Sequence, residues 1–290
     1  ATIEYIKGGG GSGDVYTAYV RNIYDGFAEK EAEGKVSVYM PTVEFYKEYV
    51  KEESKKIPTR AQIEKIWDKV NAMDFCKEKD DIIYDTFASM HVREAAVPDE
   101  LINIAAENAD VAVITLSRFS AEGVDRKPID SDYYLSFEEK SLIDRSSKAF
   151  KKTIVVLNSG AVVDCEHFAD NDKVQGILFG WQGGLEGGAA VADILCGDVC
   201  PSGKLADTIP VSYYSYQNAE EFLTGFEHLD YYDDIYVGYR YFETVPGAAE
   251  RVRYPFGFGL SYTDFELSGV LCGETDGKIV VSVNVKNIGS

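Results

Sequence analysis

One carboxyl group in this sequence stands where a protein can use it. Glu122 lies in a polar stretch, residues 117–127, directly after the unbroken apolar run VAVITL at 111–116. An acid in such a loop is well placed for chemistry. The run before it lacks polar alternation, which predicts a strand buried on both faces. In open parallel sheets, functional groups sit on loops at the carboxyl ends of strands. A loop glutamate is also often only solvated, so placement alone assigns no role. Asp125 and Arg126, in the same loop, read as ion-pair partners that brace it.

The stretch GGGGSGDV, residues 8–15, is the second place with chemical potential. Its glycines let backbone come close to a ligand. Between a strand and a helix, such a loop suggests phosphate binding. No GK[ST] ending follows, which excludes a Walker loop, and no βαβ unit with a ribose-binding acid follows, which weakens a dinucleotide site. The plainer alternative is a tight turn in which Ser12 or Asp14 caps the next helix. A further acid, Glu186, falls at the first turn of a helix, where negative charge is favourable. A structural role suits it better than catalysis. His91 has no nearby acid or second His, and Cys196 and Cys200 have no second pair to complete a zinc site. No metal and no cofactor are expected.

These groups need a scaffold, and the chain is long enough for one large domain or two small ones. It carries 29 Lys plus Arg against 49 Asp plus Glu, a formal charge of −20, which argues against nucleic acid and anionic membranes as partners. Five cysteines without regular spacing do not form a disulfide framework and read as free thiols in a reducing, cytoplasmic setting. No run of 18 apolar residues is present, and no signal peptide is visible.

In chain order, residues 2–6 read as the end of a strand. The glycine loop then leads into a helix with Val15, Ala18, Tyr19 and Ile23 on one face. Residues 35–40 alternate and predict a short strand ended by Pro41. A helix follows over 42–56, then a capping box of Thr59 with Gln62 opens a helix with Ile63, Ile66, Trp67, Val70 and Met73 inward. Trp67 on that stripe reads as core. Residues 80–97 are poorly periodic and read as loop with at most one strand. Pro98 opens a helix with Leu101, Ile104 and Ala105 inward. Ser136 with Glu139 caps a helix to Phe150. Residues 153–157 and 177–179 are further buried strands. The Gly/Ala-rich segment 180–195 reads as a helix that presses on the sheet through Leu185, Ala189, Ala192 and Leu195, with Trp181 and Gln182 beside a cleft. Residues 217–255 read as long irregular surface. From Phe265 the pattern turns to strands, with clean alternation over 279–285. The fold class is α/β: a mostly parallel sheet sandwiched by helices, followed by a partial β-sandwich segment.

Five stretches together resemble the carboxyl-terminal α/β-sandwich domain of glycoside hydrolase family 3, the β-glucosidase and β-xylosidase family. They are GGGGSGDV at 8–15, SAEGVDRK with DYYLS within 120–136, VVLNSGAVVD at 155–164, WQGGLEGGAAVADILCGDVCPSGKLADTIP at 181–210, and DIYVGYRYF with YPFGFGLSYTDF within 234–265. The fourth and fifth are long and specific. The resemblance implies that Glu122 is the acid/base residue of a retaining β-glycosidase, that Ser12 touches the sugar, and that Asp14 belongs to the same substrate loop and braces it. It also implies a TIM-type barrel with a nucleophilic Asp in an SDW-type motif, and no such motif or barrel is found in this sequence. The chain is therefore expected to be a piece of a longer enzyme, inactive alone, with a sandwich domain over 1–261, including a linker at 213–261, and the start of a fibronectin-III-like module at 262–290. Its partners would be the barrel and a β-glucoside or β-xyloside. An alternative is a sugar-binding or regulatory module of the same fold. The EGVDR context around Glu122 favours the enzyme.

Overall fold

The computed structural model describes residues 2–11, 14, 16–222, 228 and 230–289. Its centre is a parallel sheet of three strands in the order β1-β2-β3: β1 Val111–Arg118, β2 Lys152–Ser159 and β3 Val174–Phe179. Parallel neighbours need crossovers. The first carries helix α6 (Phe137–Ala149) and the second the short helix α7 (Glu166–Ala169). Side chains alternate across the sheet. Ile114, Leu116, Val155 and Leu157 join Leu142, Ile143 and Phe168 in one core, while Val113, Ile154, Val156 and Leu178 join Ile23 and Val191 in another. Burial on both faces is what the VAVITL run predicted.

Helices α1 (Ile23–Ala32) and α8 (Gly187–Leu195) cover the second face. Gly188 lets them meet, because a Cβ there would overlap the Asn22 backbone. On the other side stand α5 (Asp99–Asn108) and α6, with α2 (Met40–Glu53) outside them. The pair α3 (Arg60–Asn71) and α4 (Lys77–Ala88) packs through Trp67 on Phe87, with ring centroids 5.7 Å apart. The small antiparallel pair β4 (Ile209–Pro210) and β5 (Val252–Tyr254) has α9 (Tyr239–Thr244) between its strands in the chain. Last comes the hairpin β6 (Phe265–Thr275) and β7 (Lys278–Asn287), exposed throughout. Asp276 and Gly277 turn it with φ of 53° and 70°, the geometry an Asp-Gly pair favours. Among the described residues no helix is long and apolar enough to cross a membrane.

Several local expectations are corrected. Residues 2–6 form no strand. The first helix begins at Ile23, not after the glycine loop, because Asn22 caps it. The Asn22 side chain accepts from Asp25 N at 2.8 Å, and the Asp25 carboxylate accepts from Asn22 N at 2.9 Å. Asp14 is not its cap, and Ser12 lies outside the described residues. Residues 35–40 form no strand, and Pro41 opens α2 instead, where its missing N–H costs nothing. Residues 80–88 lie in helix α4. Its first turn carries Glu78 and Asp80, which suit the positive end of the helix dipole and blur the apolar period. On α5 Leu101 and Ala105 face the core as expected, joined by Ile102, and Ile104 is exposed. The helix near 180–195 starts at Gly187 after a 3-10 turn at Gly184–Glu186, and its buried face is Gly187, Gly188, Val191 and Ala192. The segment 217–255 is not all surface, since Phe242 and Ala248 are buried. The boxes Thr59–Gln62 and Ser136–Glu139 are both formed.

Candidate active site

Four segments converge at the carboxyl end of the sheet: the glycine loop at 8–11, the loop after β1, the end of β2 at 158–160, and the turn after β3. Backbone draws the first two together. Gly10 N donates to Ser120 O at 2.9 Å, and Glu122 N donates to Gly10 O at 3.3 Å, which makes a parallel bridge of Gly10 and Ala121. No side chain fits between them. A Cβ on Gly10 would stand 2.8 Å from the Phe119 ring. Gly11 has a φ of +85°, and a Cβ there would stand 2.8 Å from Glu122 Cβ and 3.0 Å from Glu122 Oε2. The glycines therefore serve close approach to the Glu122 loop.

Glu122 is exposed on that loop. Asp14 is close by in the chain: its N–H donates to Gly11 O at 3.1 Å, and its carboxylate accepts from Lys7 Nζ at 2.6 Å. Gln182 Nε2 donates to Ser120 Oγ at 3.3 Å, and a Cβ on Gly160 would overlap that same hydroxyl. Trp181, by contrast, packs on the core beside Phe179, with ring centroids 5.9 Å apart. Glu186 is held elsewhere. Tyr19 Oη and Arg21 Nη1 each donate to it at 2.7 Å, and these bonds lower its pKa below the usual carboxylate range. Its role is structural, as expected, but it comes from these two bonds, since α8 starts one residue later and has no acid in its first turn.

The base of the Glu122 loop is ionic. Arg118, the last residue of β1, donates from Nη1 and Nη2 to the two oxygens of Glu139 at 2.6 and 2.7 Å, and both residues are buried. Arg118 Nε also donates to Asp132 O at 2.6 Å. The Asp132 carboxylate pairs with Arg126, and it accepts from Tyr84 Oη at 2.7 Å and Lys127 N at 2.6 Å. Arg126 thus braces the loop through Asp132, the first residue of the DYYLS stretch. The Arg118–Glu139 pair left no local signal, since it joins residues 21 apart.

Behind this loop lies a cavity of about 230 Å³. It is lined by Glu4, Tyr84, His91, Phe119 and Arg126 among others, and Glu122 is not part of its wall. The His91 ring lies tilted against Phe119, with centroids 4.3 Å apart. Burial lowers its pKa from 6.5 to about 4. A base depressed on folding binds fewer protons folded than unfolded between those two values, so stability falls as pH drops through that window. From pH 7 to pH 5 His91 should contribute a loss of about 2 kcal/mol. Urea unfolding of His91→Phe beside the parent at both pH values isolates this share. Equal pH slopes would show that His91 does not titrate differently on folding. Among the described residues no group of three or more His, Cys, Asp or Glu side chains is placed to hold a metal ion.

The family model for the glycosyl hydrolase family 3 C-terminal domain matches residues 2–262. The chain belongs to this family. Beta-glucosidase A of Butyrivibrio fibrisolvens is 38% identical over 323 residues, covering 99% of this chain and 35% of the relative. A beta-glucosidase of Ruminococcus albus is 34% identical, covering 99% of this chain and 27% of its own length. The chain thus spans between about a quarter and a third of the curated relatives it matches. Among solved structures, beta-glucosidase 3B from Thermotoga neapolitana in complex with glucose superposes with a TM-score of 0.79 at 34% identity, covering 99% of this chain and 37% of that one. A beta-glucosidase from Paenibacillus barengoltzii gives 0.80 at 31% identity, covering 100% and 29%. As a family 3 domain, the chain has the parallel sheet between helices and the closing β segment that the resemblance implied.

Proposed function

We propose that this chain supplies the acid/base side of a retaining β-glycosidase that releases terminal β-linked glucose, or xylose, from glycosides and oligosaccharides. Glu122 is the general acid/base. The nucleophilic Asp belongs to a TIM-type barrel outside this sequence. The observation that carries the reading is the seat of Glu122: exposed at the carboxyl end of β1, with Gly11 packed directly on its side chain. The likeness to a beta-glucosidase solved with glucose supports a glucoside as substrate. Ser12 and Asp14 belong to the loop that meets the sugar, and residues 262–290 begin a fibronectin-III-like module. The unpaired thiols suit a cytoplasmic setting.

The chemistry needs two carboxyl groups roughly 5–5.5 Å apart across the glycosidic bond. The Asp attacks the anomeric carbon while protonated Glu122 gives its proton to the departing oxygen, and the glycosidic C–O bond breaks. Glu122, now a carboxylate, takes a proton from water. That water bonds to the anomeric carbon and frees the Asp. Glu122 must begin protonated, and a barrel closing over it would remove water and raise its pKa toward that state. The test is hydrolysis of nitrophenyl β-glucoside and β-xyloside by the chain alone and by the chain mixed with its barrel domain. Turnover only on mixing is expected, and the faster substrate names the sugar. Turnover by the chain alone would overturn the shared-site reading.

A further inference from the structure

We infer that Asn158 is a positioning residue for Glu122: its side-chain amide locks the stem of the glycine loop and so sets where the Glu122 loop stands. The inference rests on the reading of Glu122 as acid/base. Asn158 is the next-to-last residue of β2 and is 1% exposed. Its Oδ1 accepts Ile6 N–H at 2.9 Å, and its Nδ2 donates to Ile6 O at 2.9 Å and to Trp181 O at 2.8 Å. The side chain therefore pairs with both backbone groups of one residue, Ile6, as a neighbouring strand would. Its second amide hydrogen holds the turn after β3. That turn needs holding, because Trp181 has a φ of 48°, a conformation bulky residues rarely adopt.

The path from Asn158 to the acid is short and made of named contacts. Ile6 leads through Lys7, whose carbonyl accepts Gly184 N at 2.9 Å, to Gly10. Gly10 O accepts Glu122 N, and Gly11 fixes the space beside the Glu122 side chain. Only an amide satisfies this seat. Aspartate has no N–H for the carbonyls of Ile6 and Trp181 and would set its lone pairs against theirs, a costly arrangement when buried. Leucine would leave three backbone groups without partners.

The test is Asn158→Asp in the enzyme that holds this chain, with Asn158→Ser used where the aspartate variant does not fold. A displaced acid hurts most where the leaving group needs a proton. For phenyl β-glucoside, kcat/KM should fall about 30-fold or more, and for dinitrophenyl β-glucoside, whose leaving group departs as an anion, within about 3-fold. Amide exchange at Gly10 and Glu122 should quicken about 10-fold while the centre of β2 keeps its protection. Equal losses on both substrates, or unchanged exchange in the two loops, would overturn the inference. Glu122→Gln in the same assay separates the two readings. Full turnover by that variant removes Glu122 as acid/base, whereas loop exchange still decides whether Asn158 clamps.

Discussion

Glu122→Gln, made in the enzyme that carries this chain, is expected to lower kcat/KM for phenyl β-glucoside by about 10²–10⁴-fold, the usual share of a general acid. Glutamine keeps the size of the side chain and removes the transferable proton. Glu122 is exposed, so the fold should tolerate the change. The pattern of loss matters more than its size. With dinitrophenyl β-glucoside the first step needs little acid help, so the glycosyl-enzyme accumulates and its hydrolysis, now without a base, limits turnover. Azide needs no base and should restore turnover by attacking that intermediate, giving a β-glucosyl azide. The alkaline limb of the kcat/KM profile, which reports loss of the acid's proton, should vanish with it. Unchanged turnover, or loss without azide rescue, would move the acid/base role to another group. Glu186 is a poor substitute, because its bonds to Tyr19 and Arg21 favour the ionised form that an acid catalyst must leave behind.

How much of this was legible in the sequence depends on the range of the forces involved. The sheet strands and the Ser136–Glu139 box were readable because apolar runs and caps are local. Helix α4 was missed because its acids served the helix dipole and masked its period. The glycine loop shows the limit best. Its composition suggests room for a phosphate, yet Gly10 and Gly11 are filled by Phe119 and Glu122, more than a hundred residues along the chain. Composition records that backbone must come close to something, and only tertiary structure says to what. Asn158 is the same case. In sequence it is a polar residue ending an apolar run, and its partners Ile6 and Trp181 lie on segments far away on either side.

The buried pair beneath the loop should be the most expensive one to break. Arg118→Met is expected to cost about 3–5 kcal/mol, read as a lower urea midpoint at an unchanged slope. The side chains of Arg118 and Glu139 are only 5% and 7% exposed, so removing the cation leaves a carboxylate with neither water nor a charge partner. Arg118 also donates to three backbone carbonyls, those of Ser117, Asp132 and Tyr134, at 2.8, 2.6 and 3.2 Å, and each loses a donor. Glu139→Gln should cost less. A glutamine oxygen still accepts from Ser136 N, where Glu139 now closes the cap of α6 at 2.8 Å, and it still accepts one guanidinium bond. The substitution also leaves the guanidinium without a counter-charge and sets an amide N–H₂ against Nη1, so the expected loss is about 3 kcal/mol, the low end of the range for breaking a buried pair. The order of the two variants is the discriminating result. If Arg118→Met cost under about 1 kcal/mol, the pair would be acting as an exposed one does. If it cost more than Glu139→Gln, the guanidinium is the post from which the Glu122 loop leaves at residue 118 and to which it returns at 132 and 134. The strand that the apolar run would end at Leu116 continues to Arg118, where Ser117 and Arg118 pair with Asn158 and Ser159 of β2 and the ion pair lets the Arg118 side chain be buried.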